Sequence, residues 1–233
     1  MTGQRTAAFG AEQAAEAAAA LEGADPRAVI AWAADTFGDR FCITSSMGDA
    51  VLAHLASSVR PGIDVVFLDT GYHFPQTLQT RDRVAAELPV RVVNVEPAQT
   101  VGEQNQQYGP QLYSRDPDLC CALRKVRPLN EALAGYDAWA SGIRRDESPT
   151  RAGTPVVAWD AKRGKVKISP LACWTQADVD AYATEHDVIV NPLVELGFPS
   201  IGCAPCTRRV ESGEDARAGR WAGREKTECG IHW

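Results

Sequence analysis

The sequence predicts a doubly wound α/β fold on a mainly parallel sheet, and three observations carry that expectation. Runs rich in Val, Ile and Phe recur at even intervals, RFCITSS (40–46), IDVVFLDTG (63–71) and VRVVNVE (90–96). Their near-continuous apolarity is that of strands covered on both faces. Helical patterns fill the gaps, GDAVLAHLASSV (48–59) and PQTLQTRDRVAAEL (75–88), which makes the order βαβαβ. From about residue 191 periodicity stops and Gly, Pro and Arg dominate. A stretch that irregular needs something other than an apolar core to hold it.

Taken in order, AAFGAEQAAEAAAALEG (7–23) reads as a weakly anchored amphipathic helix. The first strand runs into TSSMGDAV, a Ser/Gly turn before a helix, where backbone N–H groups favour an anion. An ordinary strand-to-helix turn reads the same way. Pro75 suits a first helical position. A fourth strand is expected at YDAWASGI (136–143), and VVAWDAKRGKVKISPL reads as a hairpin turning at Lys162, Arg163 and Gly164. In WTQADVDAYATEHD, Thr175 is the cap and Asp178 its partner three residues on.

Composition narrows the function. The 233 residues are 45% hydrophobic and 23% charged, ordinary for a soluble globular chain. No apolar run approaches the roughly 18 residues of a membrane span. The N-terminal segment lacks the cationic start and apolar middle of a secretory signal, so a cytoplasmic location is expected. A net charge of −6 argues against nonspecific binding to nucleic acid or an anionic membrane. Arginines nevertheless gather locally, at 144, 145 and 151 and again at 217, 220 and 224, as a small-anion site requires. Seven cysteines, an odd number, do not form a disulfide framework in a reducing compartment. Cys42 and Cys173 stand in apolar context and read as buried small hydrophobes. Cys120, Cys121, Cys203, Cys206 and Cys229 stand in polar or Gly/Pro context. A CxxC with a second pair is the pattern of a four-thiolate metal site. Adjacent cysteines suit a zinc tetrahedron less well than a larger cubane, although structural zinc, or a vicinal disulfide beside a redox CxxC, stays open on these residues alone.

The segments LDTGYHFPQT, CCALRKVRPL, SGIRRDESPTR, ISPLACW, NPLVELGFPSIGCAPCT and GRWAGREKTECGIH occur in the order and spacing of assimilatory sulfonucleotide reductases. Together they resemble the iron–sulfur adenylyl-sulfate (APS) reductase type, over roughly residues 38–232. The Ser45-Ser46-Met47-Gly48-Asp49-Ala50 loop and Asp69 are similar to those of the adenine-nucleotide alpha hydrolase, or PP-loop, superfamily. The loop lacks the middle glycine and final serine of the ATP pyrophosphatase form, which fits a shorter anionic tail.

The resemblance implies reduction of APS to sulfite and AMP in sulfate assimilation and cysteine biosynthesis, through an S-sulfocysteine on Cys229. It implies a 4Fe–4S cluster on Cys120, Cys121, Cys203 and Cys206. Lys125 is expected beside cluster and sulfate, with Arg217 and Arg220 closing from the C-terminal segment. Arg144 and Arg151 are expected phosphate ligands; Ser45, Ser46, Met47, Gly48, Asp69 and Thr70 line the nucleotide. Lys226 and His232 are the cations expected to favour a Cys229 thiolate, with Glu228 opposing them. Arg145 fits equally a phosphate or a surface pair with Asp146 or Glu147. Plant-type relatives carry a fused thioredoxin-like domain; this chain stops at Trp233, so a separate thioredoxin or glutaredoxin is the expected reductant. The organisation expected is a helical extension (1–25), a nucleotide-binding core (26–190), a cluster-binding segment (191–216) and a mobile tail (217–233). Phosphoadenylyl sulfate (PAPS) as substrate, alone or beside APS, is the nearest alternative. A PP-loop tRNA sulfurtransferase and a noncatalytic sensor are more distant ones, and a homo-oligomer is left open.

Overall fold

The computed structural model describes residues 9–232. Its sheet has six strands, β1 (Phe41–Thr44), β2 (Ile63–Leu68), β3 (Val90–Val95), β4 (Ala138–Ser141), β5 (Val157–Asp160) and β6 (Lys165–Ile168). They lie in the order β3-β2-β1-β4-β6-β5, parallel except for the edge strand β5, which is antiparallel to β6. The four parallel strands and the hairpin expected from the sequence all form. Strand order reverses between β1 and β4, whose last residues Thr44 and Ser141 are paired neighbours. That reversal opens a crevice at the carboxyl ends of the strands, the usual ligand position in open α/β sheets.

Helices cover both faces. On one lie α1 (Ala11–Leu21), α2 (Pro26–Phe37), α3 (Val51–Val59), α4 (Pro75–Glu87) and, later in the chain, Gln176–Glu185. Their apolar residues, Val29, Ile30, Leu55 and Val84 among them, pack on Ile43, Val65 and Phe67 of the sheet. Pro75 opens α4, and Thr175 and Asp178 form a reciprocal capping box on the late helix, as expected. On the opposite face Leu129 and Leu133 pack with Cys42, Val66 and Trp139. The chain between β3 and β4 adds α5 (Val101–Tyr108), α6 (Leu112–Arg115), α7 (Pro117–Cys121) and α8 (Arg127–Ala132); the late helix is α9.

Between α7 and α8, residues Ala122–Val126 form a π-helical turn, so residues 117–132 are one rod with a wide middle. Pro128 explains it. A proline inside a helix has no N–H to give and its ring crowds the carbonyl four residues back, here that of Arg124. Widening by one residue relieves that clash, and π turns of this kind recur at functional sites.

The first helix differs from the expectation of weak anchoring. Ala14 is buried, Phe9 packs edge-on against Trp32 and Phe37, and Arg145 holds Glu22 at 2.6 Å. Arg145 therefore pairs across to α1 and not with Asp146 or Glu147. Cys173, expected in the core, is exposed beside Arg145 and Glu22, because Trp174 turns inward in its place. Cys42 is buried as expected. Residues 1–8 and Trp233, part of the expected extension and tail, lie outside the described residues. No helix among those described is long and apolar enough to cross a membrane.

Candidate active site

The loop after β1 is fixed by its own side chains and by a distant strand-like segment. The Ser45 hydroxyl accepts from Met47 N at 3.1 Å, Met47 takes φ +59°, and its side chain is fully buried, so Met47 offers only backbone to a ligand. Ala50 N bonds Ile189 O and Asn191 N bonds Gly48 O. Asn191, completely buried, donates to Met47 O at 2.9 Å and Thr77 Oγ1 at 3.2 Å and accepts from Leu193 N. Asp49, two residues before Val51, accepts from Val51 N at 3.0 Å at the start of α3, and burial pushes its carboxyl upward. Ser46 is left exposed and Gly48 partly so.

After β2, Asp69 accepts from Gly71 N at 3.1 Å and faces Arg81 at 3.3 Å. Thr70 points elsewhere. It is fully buried, its hydroxyl 3.3 Å from Cys203 Sγ, and its carbonyl accepts from Arg124 Nε at 2.5 Å. Thr70 thus belongs to the cysteine recess, not to the nucleotide crevice where the sequence led us to expect it.

That recess is lined by Cys120, Cys121, Cys203 and Cys206, with Tyr72 and Lys125 at its side. Asp116 caps the short α7 and starts the turn that carries the cysteine pair. Cys203 leads a 3₁₀ turn closed by Cys206 N to Cys203 O at 2.9 Å, and Ala204 N ties this turn to Tyr72 O at 2.7 Å. Burial pushes the Cys120 thiol up to about 11 and that of Cys121 to about 12. Burial alone pulls Lys125 down, but the thiols of Cys203, Cys229 and Cys121 outweigh it and leave Lys125 above its ordinary value. Among the described residues no three His, Cys, Asp or Glu side chains converge closely enough for one metal ion.

The C-terminal residues are docked in this structure. Trp221 N bonds Cys206 O at 3.0 Å, and Thr207 bridges Arg220. Lys226 pairs with Asp118 beside the cysteine helix, so its charge is engaged there. Ile231 joins the apolar cluster around Trp139, and the His232 ring stacks on the Trp139 indole. Burial, with Lys167 and Arg151 adding to it, holds His232 well below its ordinary value. His232 is neutral there, which corrects its expected role as a cation favouring the thiolate. Cys229 arrives within electrostatic range of Cys121 and Lys125.

The arginines are largely engaged. Arg151 gives Nε and Nη2 to the Glu228 carboxylate, both at 2.8 Å, and Nη1 to Glu147 at 2.6 Å. Arg144 bonds Asp146 at 3.1 Å and Gln176 at 2.6 Å. Arg217 lies 3.3 Å from Glu228 and donates to Thr227 O. Burial pulls Arg217 down, assisted by Arg151. Burial pushes the Glu228 carboxyl up, but Arg151 and Arg217 overcome it and hold Glu228 below its usual range. Arg220 donates to Ser200 and Ile201 O and lies over the Trp221 ring at 4.6 Å.

Two residues at the site escaped the sequence reading. Asn191 carried only the turn signal of its Asn-Pro dipeptide. Lys167, in the β6 pattern, reads as an exposed strand lysine, yet it donates to His232 O at 3.2 Å and lies 5.5 Å from the Trp139 ring centroid. Burial, with Arg163 and Arg151 adding to it, lowers Lys167 to about 8 against the pull of Asp160.

Residues 40–209 match the family described as phosphoadenosine phosphosulfate reductase domain. Over 212 residues the chain is 68% identical to a Streptomyces coelicolor protein named adenosine 5'-phosphosulfate reductase, covering 91% of this chain and 90% of that one. A Rhodococcus opacus protein of the same name is 51% identical, covering 95% and 94%. The crystal structure of phosphoadenylyl-sulfate (PAPS) reductase from Candida auris, a phosphate complex, aligns with a TM-score of 0.73 at 31% identity, covering 86% of this chain and 98% of that one.

Proposed function

Because the chain belongs to the phosphoadenosine phosphosulfate reductase domain family, we propose that it reduces adenosine 5'-phosphosulfate to sulfite and AMP. The observation that carries this reading is the meeting of Cys229, Lys125 and four further cysteines beside an arginine cluster. The thiolate of Cys229 attacks the substrate sulfur, and the S–O bond to AMP breaks, AMP leaving with the electron pair. The enzyme then carries an S-sulfonate on Cys229. A thiolate of a thioredoxin or glutaredoxin attacks the Cys229 sulfur and expels sulfite, and its second thiol resolves the mixed disulfide.

This chain's own residues supply the electrostatics. Lys125, half-buried beside the cysteines, faces the transferring sulfonate. Arg217 and Arg220 approach from the C-terminal segment, and guanidinium forks suit phosphate and sulfate oxygens. Ser45, Ser46 and the Met47–Gly48 backbone stand at the strand reversal, where the nucleotide fits, with Asp69 at the next strand end. Neutral His232 packs the C-terminal strap, residues 226–232, on Trp139.

Cys120, Cys121, Cys203 and Cys206 fit a 4Fe–4S cluster. The donor set is four thiols facing one recess, and burial disfavours the thiolates of Cys120, Cys121 and Cys206 unless a metal centre holds them. When bound, the cluster would supply iron for the Cys120, Cys121, Cys203 and Cys206 thiolates to coordinate, which would pin the irregular segment and tune the field at Lys125.

The test is direct. Protein purified without oxygen is assayed for iron and labile sulfide, then incubated with substrate; mass spectrometry should find a sulfonate on the Cys229 peptide, released by thioredoxin. An adduct that persists in Cys229→Ser, or none in the wild type, refutes the reading. PAPS is the second candidate substrate, favoured by the family's description and by the Candida auris enzyme. The names of the bacterial relatives favour APS, and kcat/KM for the two substrates decides.

A further inference from the structure

The residue immediately before the nucleophile occupies the arginines that an anionic substrate has to reach. Arg151 and Glu228 are both about one-tenth exposed, and their bond is bidentate. All three guanidinium nitrogens of Arg151 are engaged, two by Glu228 and one by Glu147. Arg217 directs its Nη2 at the same Glu228 oxygen that Arg151 Nη2 holds. Around this point Arg144, Arg151 and Arg217 face Asp146, Glu147 and Glu228, three positive groups against three negative. Adding the neighbouring Arg220 leaves one net positive charge, and the departure of Glu228 raises that to two.

We propose that Glu228 is a latch that stands in for the substrate anion, so that substrate entry and movement of the Cys229 strap are one exchange. The idea rests on the reductase reading and specifies how its site is regulated. With Glu228 in place, and Glu147 beside it, the Arg151–Arg217 pair is neutralised and the strap is held down on the core. A phosphate or sulfate group that takes Arg151 and Arg217 displaces the carboxylate, and displacement moves the adjacent thiol because the two residues are consecutive. Removing one partner of a desolvated ion pair leaves the other charge uncompensated. The arginines of a latch-free protein therefore hold a substrate anion more tightly than those of the wild type. Glu228 is on this account a positioning residue; it makes no bond to the reacting atoms.

The test measures binding without turnover. APS is titrated by calorimetry into Cys229→Ser protein, and into the same protein carrying Glu228→Gln or Glu228→Asp. The latch predicts a Kd for APS at least about fivefold lower with Glu228→Gln, the low end of typical coupling between linked sites. Glu228→Asp, which keeps the charge on a shorter stem, falls between. With Cys229 intact, Glu228→Gln lowers KM without raising kcat, and trypsin cuts after Lys226 faster. Unchanged or weaker binding with Glu228→Gln overturns the latch while leaving the reductase reading standing. If Cys229→Ser protein with its Glu228 in place, and its Glu228→Gln form, both fail to bind APS, the reductase reading falls and the latch with it.

Discussion

The imidazole of His232 lies over the indole of Trp139 with ring centroids 6.2 Å apart and planes 13° from parallel. One residue from the end of the chain is thereby stacked on the middle of a central strand. Aromatic contact of this kind is worth about 1 kcal/mol beyond the area it buries, enough to bias a short strap between docked and free.

The depressed basicity of His232 gives that docking a pH dependence. In the free strap the ring protonates below its ordinary value of 6.5, whereas the docked ring resists protonation. The undocked form then binds more protons, so docking is fully present above about pH 6.5 and is lost as pH falls below it. Hydrogen-exchange protection factors of residues 226–232 should fall between pH 7 and 5.5. In His232→Phe, which keeps the stacking without the titration, they should stay level over that interval.

Lys167 titrates in the opposite half of the pH scale. Its folded value of about 8 lies below the ordinary 10.5, so between these two values the unfolded chain holds a proton that the folded chain does not. Stability must rise across that interval as pH increases. Urea midpoints of wild type and Lys167→Met, measured from pH 7 to 10, should differ in slope above pH 8, with the variant gaining less.

Asn191 ties the loop after β1 to the chain that leads to the CxxC turn. Asn191→Ala removes three hydrogen bonds and leaves Met47 O, Thr77 and Leu193 N short of a buried partner. The expected loss is about 3 kcal/mol of stability by urea unfolding, and AMP affinity should fall with it, because Met47 and Gly48 shape the nucleotide loop. An Asn191→Ala protein with wild-type stability would remove Asn191 from this role.

Gly219 admits no side chain. A Cβ there would stand 2.2 Å from the Arg208 carbonyl oxygen and 3.3 Å from Val210, and backbone on that side cannot rotate away. Gly219→Ala should break the Arg208 N to Gly219 O bond and the Thr207–Arg220 bridge. Overpacking of this kind costs about 1–3 kcal/mol. Iron content per chain, measured after oxygen-free purification, should drop, since the bridge holds the Cys206 turn.

The sheet was legible because its residues obey short-range rules. Val and Ile runs such as IDVVFL, the Lys162–Arg163–Gly164 turn and the Pro75 and Thr175 helix starts each carry their own signal within a few positions. The convergence of Cys120, Cys121, Cys203 and Cys206 on one recess was legible as a thiol pattern. What the sequence withheld depends on contacts across long stretches of chain. Thr70 sits on Cys203, Arg145 crosses to Glu22, and Glu228 reaches Arg151, pairs 133, 123 and 77 residues apart. Local reading gave Thr70 to the nucleotide, Arg145 to its acidic neighbours, Arg151 to phosphate and Glu228 to the Cys229 thiol, and tertiary packing chose other partners. The lowered basicity of His232 was hidden for the same reason, since burial against Trp139 is set by where the strap lands.

The π turn at 122–126 sets the phase between two functions carried on one rod. In an α-helix each residue advances the azimuth by about 100°, so one residue more or less between Cys121 and Pro128 swings the cysteine pair around the axis while Leu129 and Leu133 stay seated on the sheet. A single-residue deletion at Ala122 would keep every side chain of the recess and of the core, yet aim the Cys120 and Cys121 thiols away from Cys203. The proline that forces the wide turn thus acts as an angular setting, and the chemistry of the recess depends on a residue that never touches it.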